Sequence, residues 1–530
     1  MYRVMIRDGM DPLAKEILEQ TGEIEVVIDN DKETNKPEVL AGIIKDFDGL
    51  AVRSGTKVTG EVLAAATRLK VIGRAGIGVD NIDVRSATDS GIVVMNAPGG
   101  NTVTTGEHAV SMMMSLARNI PQATASLRAG RWDKKKYMGV EITGKSLGIV
   151  GLGHIGREVA ARALGLKMQV LASDPYITKE AATELGVELM PLDELLGKAD
   201  FISLHVPRMD ETRNMINRDS IARMKKGVRI INCARGEILN IDDLYDAIEE
   251  GTVAGAALDV FPKEPPDYSL PIFSHPNVIF TPHLGASTGE AQKKVAEMIA
   301  RQMVDYLTNG VITNAVNFPS IPLKIMPRLK PFLELAERLG SMTGQLTRQP
   351  HDIRITYSGD VTKFDTHVLT HAVLKGLLDS FTDKPVNYVN AHHLARDRGI
   401  GVEETISNET KDYTNLIQIK MPGINEELNE IWGTIFAKNT QRIVRLGRIH
   451  MDAEPEGWMI VIQNHDKPGV IGNLGNMLAG HGINIARFHL GRLEGRAICL
   501  VNIDSPAKEE IIDDIRSLPN IISAQGIMLK

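Results

Sequence analysis

Cysteine is nearly absent. Only Cys233 and Cys499 occur in 530 residues, both inside apolar runs. Neither a disulfide scaffold nor a zinc ligand set can be built from them, and a reducing compartment fits. Aromatic residues are sparse at 4%, yet 43% hydrophobic and 24% charged residues make the composition of an ordinary globular protein. There is no excess of positive charge. A net charge of −7 argues against nucleic acid or an anionic membrane as the main partner. An anionic substrate stays open, because a basic pocket needs only a few residues. Nowhere do about eighteen apolar residues run uninterrupted, so no span of a membrane is expected. Met1–Leu18 reads as strand, turn and amphipathic helix and not as a signal peptide, and a cytoplasmic chain is expected.

What is present is alternation. At about 100–200 residues per domain, the length predicts three or four domains. To about Thr308, short apolar runs such as Val26–Ile28, Gly49–Val52, Val71–Gly73 and Ile92–Met95 alternate with helical patterns, the mark of βα units and a mostly parallel sheet. A break at Asn96–Gly100 ends the first set. A long helical stretch from Thr104 to about Leu127 follows, with a break or kink expected at Pro121. Its Met112–Met114 run reads as core or subunit packing. A second βα series runs from Ser146–Val150 to Phe280. The helix after it, about Gly289 to Thr308, has no clear strand behind it and is expected to return to the first domain. A Pro-containing connector, Phe318 to Pro331, closes this part. The chain is then mixed α/β to about Pro455, and Trp458–Lys530 has the length of one small domain.

The strongest local signal is Gly151-Leu-Gly153-His154-Ile155-Gly156, between the apolar strand Leu147–Val150 and the helix Arg157–Leu164. In that context each glycine has a job. The first permits a tight turn, the second lets backbone approach a pyrophosphate, and the third allows close packing of helix on strand. Asp174 ends the next strand, eighteen positions after Gly156. A carboxylate there accepts both ribose hydroxyls and repels the extra phosphate of NADP, so NAD is the expected cofactor.

Three later strand ends carry unusual residues: Arg235 after Ile230–Ala234, Asp259 and Glu264 after Ala257-Leu258, and His283 after Phe280. In open α/β sheets ligands sit at such ends. Oxidation of a 2-hydroxy acid needs a cation for the carboxylate, a base for the hydroxyl proton, and a group that tunes the base. Arg235 suits the first as a bidentate donor. His283, with a reference pKa of about 6.5, suits the second. Glu264 suits the third, raising the histidine pKa if hydrogen-bonded to it. Asp259 is expected to orient the nicotinamide or Arg235, and His205, with Pro207, to line the cofactor.

These residues and their spacings resemble the D-isomer-specific 2-hydroxyacid dehydrogenase family. The segments Arg53–Thr59, Gly73–Asn81, Asn232–Gly236 and Pro282–Thr288 carry the resemblance, and it extends over the whole chain. It implies an α/β protein in which a Rossmann-type NAD domain (99–285) is inserted in a flavodoxin-like substrate domain (1–98 and 286–312). An α/β intervening domain (313–455), which in long-form relatives can bind anions, and a ferredoxin-like ACT domain (456–530) follow. By the resemblance Arg235, Glu264 and His283 are catalytic. Asp174 contacts the adenosine ribose, and Thr212, Cys233, Ala234, Asp259, Gly285 and Ala286 complete the cofactor site. Arg53, Ser54, Gly55, Lys57, Arg74 and Gly76 are substrate groups, and Lys134, within the basic cluster Arg131–Lys136, reaches a partner subunit's substrate. The basic residues fit a phosphorylated substrate, 3-phospho-D-glycerate, and a homodimer or homotetramer is implied. Asn464, Asp466 and Asn484 resemble an amino-acid effector site for L-serine, with dimerisation alone as the alternative. His392-His393 reads as structural, and no metal is expected. An unphosphorylated hydroxy acid such as glycerate, or a NAD sensor without catalysis, are the competing functions.

Overall fold

In the computed structural model the description covers the chain except residues 323, 348–350, 383–384, 422–427 and 438. Five short, mainly apolar runs form the first sheet: β1 (Tyr2–Ile6), β2 (Ile24–Ile28), β3 (Gly49–Val52), β4 (Val71–Arg74) and β5 (Val93–Asn96). All neighbours are parallel in the order β2-β1-β3-β4-β5. Strands buried on both faces need helices on both, and continuous apolar runs are their signature.

One of those covering helices comes from far along the chain. Gly289–Asn309 packs against β4, where Ile299 and Met303 lie so close to Gly73 that a Cβ there would sit 2.5 Å from Ile299 Cγ2. The helix starts on a Thr288 cap and ends at Gly310 in the left-handed conformation.

Between these pieces lies a seven-stranded parallel sheet: β6 (Ser146–Val150), β7 (Gln169–Ser173), β8 (Glu188–Leu189), β9 (Phe201–Leu204), β10 (Val228–Asn232), β11 (Val253–Leu258) and β12 (Val278–Phe280). Its order, β12-β11-β10-β9-β6-β7-β8, reverses direction between β6 and β9. That switch point opens the crevice in which dinucleotides bind.

The long helical stretch before it is two helices, Thr102–Arg118 and Ile120–Arg128. The break differs from expectation. It falls at Asn119, whose φ of 52° is left-handed, and Pro121 sits in the first turn of the second helix, where a missing N–H costs nothing. Met112 and Met113 are core.

The connector also ends earlier than Pro331. Helix Met326–Leu346 begins five residues before Pro331, with Pro327 in its first turn and Pro331 still inside it. Pro331 has no N–H to donate to the carbonyl of Pro327, so the helix forgoes one backbone bond there. This helix lies against a mixed sheet of β13 (Asp352–Gly359), β14 (Gly401–Ser407), β15 (Asn415–Lys420), β16 (Glu430–Phe436), β17 (Thr440–Leu446) and β18 (Ile449–Ala453), ordered β14-β13-β15-β16-β17-β18. Its far end meets the last sheet, built from β19 (Gly457–His465), β20 (Ile485–Leu493), β21 (Arg496–Ile503) and β22 (Ile521–Leu529) in the antiparallel order β20-β21-β19-β22. Gln345 donates to Met528 O at 2.8 Å and accepts from Met528 N at 2.9 Å, and Arg338 donates to Lys530 O at 2.8 Å. Among the described residues no helix is long and apolar enough to cross a membrane.

Candidate active site

The glycine-rich turn leaves β6 and enters helix His154–Gly165. Gly151 has φ 94°, and a Cβ on it would lie 2.6 Å from His205 O. A Cβ on Gly156 would lie 2.1 Å from Gly151 O, whereas around Gly153 there is nothing within 4 Å. The turn is therefore closed where helix meets strand and open where a pyrophosphate would lie, with uncapped helical N–H groups facing that space. Asp174 stands at the end of β7 and accepts from Leu152 N and Tyr176 N, both at 2.8 Å, which ties the turn to the neighbouring strand. His154 is exposed beside Gly153, with Ile155 half-buried behind it. These residues fit a dinucleotide.

His205 donates to or accepts from Ser203 Oγ at 2.8 Å, and burial pushes its pKa down to about 4. Burial thus favours its neutral form. Thr212 is buried and fastens its own loop, donating to Pro207 O at 2.7 Å and accepting from Met209 N at 2.8 Å, so it shapes the cofactor wall through Pro207. Cys233 is buried, which pushes its thiol up and keeps it protonated.

The Glu264–His283 pair is present. Glu264 Oε2 lies 2.7 Å from His283 Nδ1. That hydrogen bond raises the histidine pKa against the opposing effect of burial. On the carboxylate, burial works upward, but the bond and charge of His283 prevail and the net shift is down. Because Glu264 accepts the Nδ1–H, the neutral ring keeps its lone pair on Nε2, the side left for a substrate hydroxyl. His283 has φ 55°, a left-handed conformation uncommon for a residue with a Cβ.

Asp259 holds that conformation in place, and here the expectation needs correcting. It does not touch Arg235. Its carboxylate is fully buried and accepts from Thr281 Oγ1 at 2.6 Å, Leu284 N at 2.7 Å and Gly285 N at 2.9 Å, holding the Thr281 side chain before His283 and the backbone after it. Burial disfavours its charge, yet these donors and His108, 3.2 Å away, keep its pKa below the ordinary value. His108 Nε2, Cys233 Sγ and an Asp259 oxygen lie within 4.8 Å of one another, with both Asp259 oxygens already hydrogen-bonded. Ala286 follows on the same loop, half-buried.

Arg235 follows β10 and reaches across to the loop after β4. Its Nε donates to Asp80 Oδ2 at 3.0 Å and one terminal nitrogen to Ala234 O at 2.7 Å. On the facing wall Arg74, at the end of β4, folds over Gly76, where any Cβ would overlap its guanidinium. Its Nε is buried and finds no partner among the described residues. Burial, then the charge of Arg235, brings the Arg74 pKa down to about 10. Two cations pressed together with an unsatisfied donor favour an anion between them.

The loop Arg53–Lys57 is built by residues the sequence did not single out. Asp8 accepts from Arg53 N at 2.8 Å, Thr56 N at 3.1 Å and Thr56 Oγ1 at 2.7 Å, and Asn81 donates to the carbonyls of Arg53 and Thr56. Arg53, Ser54 and Gly55 then line a cavity of about 480 Å³. Lys57 and Lys134 are exposed.

At the other end of the chain, Asn464 is a correction. The alternation of β19 puts it on the face of Ile460 and Ile462, so it is buried, donating to His465 O at 2.8 Å and lying 3.4 Å from Cys499 Sγ. Asp466 pairs with Arg492 at 3.6 Å, and Asn484 donates to Asp504 at 2.8 Å. The three share no partner. His393 bridges Asp89 at 2.6 Å and Asp397 at 3.2 Å, while the His392 ring lies 5.6 Å from that of His371.

A switch-point turn open to pyrophosphate, with an arginine and a carboxylate-backed histidine on neighbouring strand ends, defines a D-isomer specific 2-hydroxyacid dehydrogenase. Residues 110–285 match that family's NAD binding domain, 328–447 the D-3-phosphoglycerate dehydrogenase intervening domain, and 458–520 the ACT domain. The D-3-phosphoglycerate dehydrogenase of Methanocaldococcus jannaschii is 43% identical over 98% of both chains, and that of Bacillus subtilis 40% identical over the full length of both. The chain belongs to the D-3-phosphoglycerate dehydrogenase family. Among solved structures, the D-lactate dehydrogenase of Aquifex aeolicus, complexed with NAD and lactic acid, is 29% identical with a TM-score of 0.53. It matches 60% of this chain and 100% of its own.

Proposed function

We propose that this chain oxidises 3-phospho-D-glycerate to 3-phosphooxypyruvate, the opening step of L-serine biosynthesis, with NAD. The observation that carries the reading is the 2.7 Å contact of His283 with Glu264, beside Arg235, in a chain about 40% identical to D-3-phosphoglycerate dehydrogenases along its whole length. NAD, when bound, supplies the acceptor for the hydride leaving C2. Arg235 binds the substrate carboxylate and polarises the forming carbonyl. Nε2 of His283 takes the hydroxyl proton, and Glu264 stabilises the imidazolium that results. Asp259 fixes the loop that presents the histidine.

Arg53 and Arg74, with Ser54, Gly55 and Gly76, receive the phosphate, supported by the orphaned Nε of Arg74. Lys57, and Lys134 from a partner subunit, add positive charge. Residues 1–98 with 286–312 form the substrate domain, 99–285 the NAD domain, 313–455 the intervening domain and 456–530 the ACT domain, in a cytoplasmic homodimer or homotetramer. L-serine acts at the ACT domain through Asp466 and Asn484.

NADH formation followed by absorbance with 3-phosphoglycerate, while serine is titrated in, tests the whole reading. Turnover that serine suppresses supports it. Turnover indifferent to serine leaves the tail a role in assembly. Turnover with glycerate but not with 3-phosphoglycerate replaces the substrate.

A further inference from the structure

Arg235 does not stand alone in the cleft. Asp80, on the loop after β4, reaches across from the opposite wall. One of its oxygens takes Arg235 Nε at 3.0 Å, and the other lies 3.4 Å from Arg208, itself paired to Glu237 at 2.9 Å. Two residues earlier, Gly78 leaves the space in which the guanidinium lies. A Cβ there would sit 1.9 Å from the remaining terminal nitrogen of Arg235.

We infer that Asp80 is the positioning residue of the site: it holds Arg235 by the Nε edge so that the edge with two terminal nitrogens faces the substrate carboxylate. The inference rests on the assignment of Arg235 as the carboxylate-binding group. Three observations carry it beyond an ordinary surface ion pair, which contributes little. Asp80 and Arg235 belong to different sheets, so the bond exists only when the two walls stand in this approach. The guanidinium is fixed at three places, by Asp80, by Ala234 O and by the wall at Gly78, which leaves a planar fork with one orientation. Finally, Arg53, Arg74, Arg208 and Arg235 crowd one cleft, and Asp80 is an anion that acts on Arg74, Arg208 and Arg235 together. Without it the cations would splay apart, and Arg235 would turn toward solvent.

Oxalate, a carboxylate that needs no turnover, is the probe. Its affinity is read from the fluorescence of NADH bound to the full-length protein. Asp80→Asn is expected to weaken oxalate binding about 10–100-fold, and to raise KM for 3-phosphoglycerate far more than it lowers kcat, while NADH affinity stays within about twofold. Gly78→Ala displaces the guanidinium without changing any charge and should give the same pattern, which keeps the test alive if Asp80→Asn folds poorly. In an Arg235→Lys background, Asp80→Asn should add less than about threefold, since the partner it orients is gone. Wild-type affinity for oxalate in both single variants, or losses that add fully with Arg235→Lys, would overturn the inference. A wild type that binds oxalate tightly but does not turn over 3-phosphoglycerate would instead count against the proposed substrate.

Discussion

His283 and Glu264 set the chemistry at the scale of single residues. The imidazole must be neutral to accept a proton, and Glu264 raises its affinity for protons. Oxidation therefore falls away on the acid side, at a pH above the ordinary histidine value. Glu264→Gln removes the carboxylate, the pKa drops, and free imidazole persists to lower pH. The acidic limb of kcat/KM should move down in pH, with a reduced rate; an upward movement would refute the pairing. His283→Ala should lower kcat by roughly 10²–10⁴, measured at saturating substrate, and an unchanged kcat would remove the residue from its role. His205, held neutral by burial, offers a control: His205→Gln should leave the shape of the pH profile as it is.

How much of this was legible follows from what each residue looks like from inside the sequence. Arg235, Glu264 and His283 each lie a few residues beyond a buried apolar strand, and a charged group at such a place is conspicuous. Asp8, Asp80, Asn81 and His108 sit in loops or on a helix face, where polar residues are ordinary. Their significance lies in partners such as the Arg235 that Asp80 meets 155 positions away, which no local pattern encodes. Asn464 misled for the opposite reason. Its motif suggested a ligand, but strand alternation turns it into the core.

The decisive fit among the elements is helix Gly289–Asn309 on β4. The helix lies close because residue 73 lacks a side chain. Gly73→Ala forces a methyl group against Ile299 and Met303, and such overpacking costs roughly 1–3 kcal/mol. A lower melting temperature with kcat retained is the expected result; an unchanged melting temperature would mean the helix moves aside freely. The parallel sheets were readable because strands buried on both faces are continuous apolar runs. Helix ends were less so. Pro121 and Pro331 suggested breaks, yet a proline early in a helix removes little, and Asn119 ended its helix through a backbone conformation that composition does not reveal.

For the whole molecule, the tail is joined and not merely appended. Helix Met326–Leu346 serves two sheets at once, and the pairs Gln345–Met528 and Arg338–Lys530 stitch the last strand to it. Removing residues 457–530 bares that helix face and should lower the melting temperature of the remaining protein by about 5 °C or more. An unchanged value would mean the last domain is held by its linker alone. On the other side, Asn387 donates to Gly91 O at 2.6 Å and His393 meets Asp89, so the same block also touches the first domain. Residues 326–453 thus contact both the last sheet and the part of the chain that carries the first sheet.

The return of helix Gly289–Asn309 to the first sheet has a consequence in time. On the ribosome, β1 to β5 emerge first, but the helix that seals Gly73 and its neighbours comes only after the entire seven-stranded sheet has been made. At ordinary translation speed that interval is on the order of 10–40 s. Throughout it, the nascent first domain presents a greasy flank to its surroundings, and its completion is scheduled by the synthesis of its neighbour.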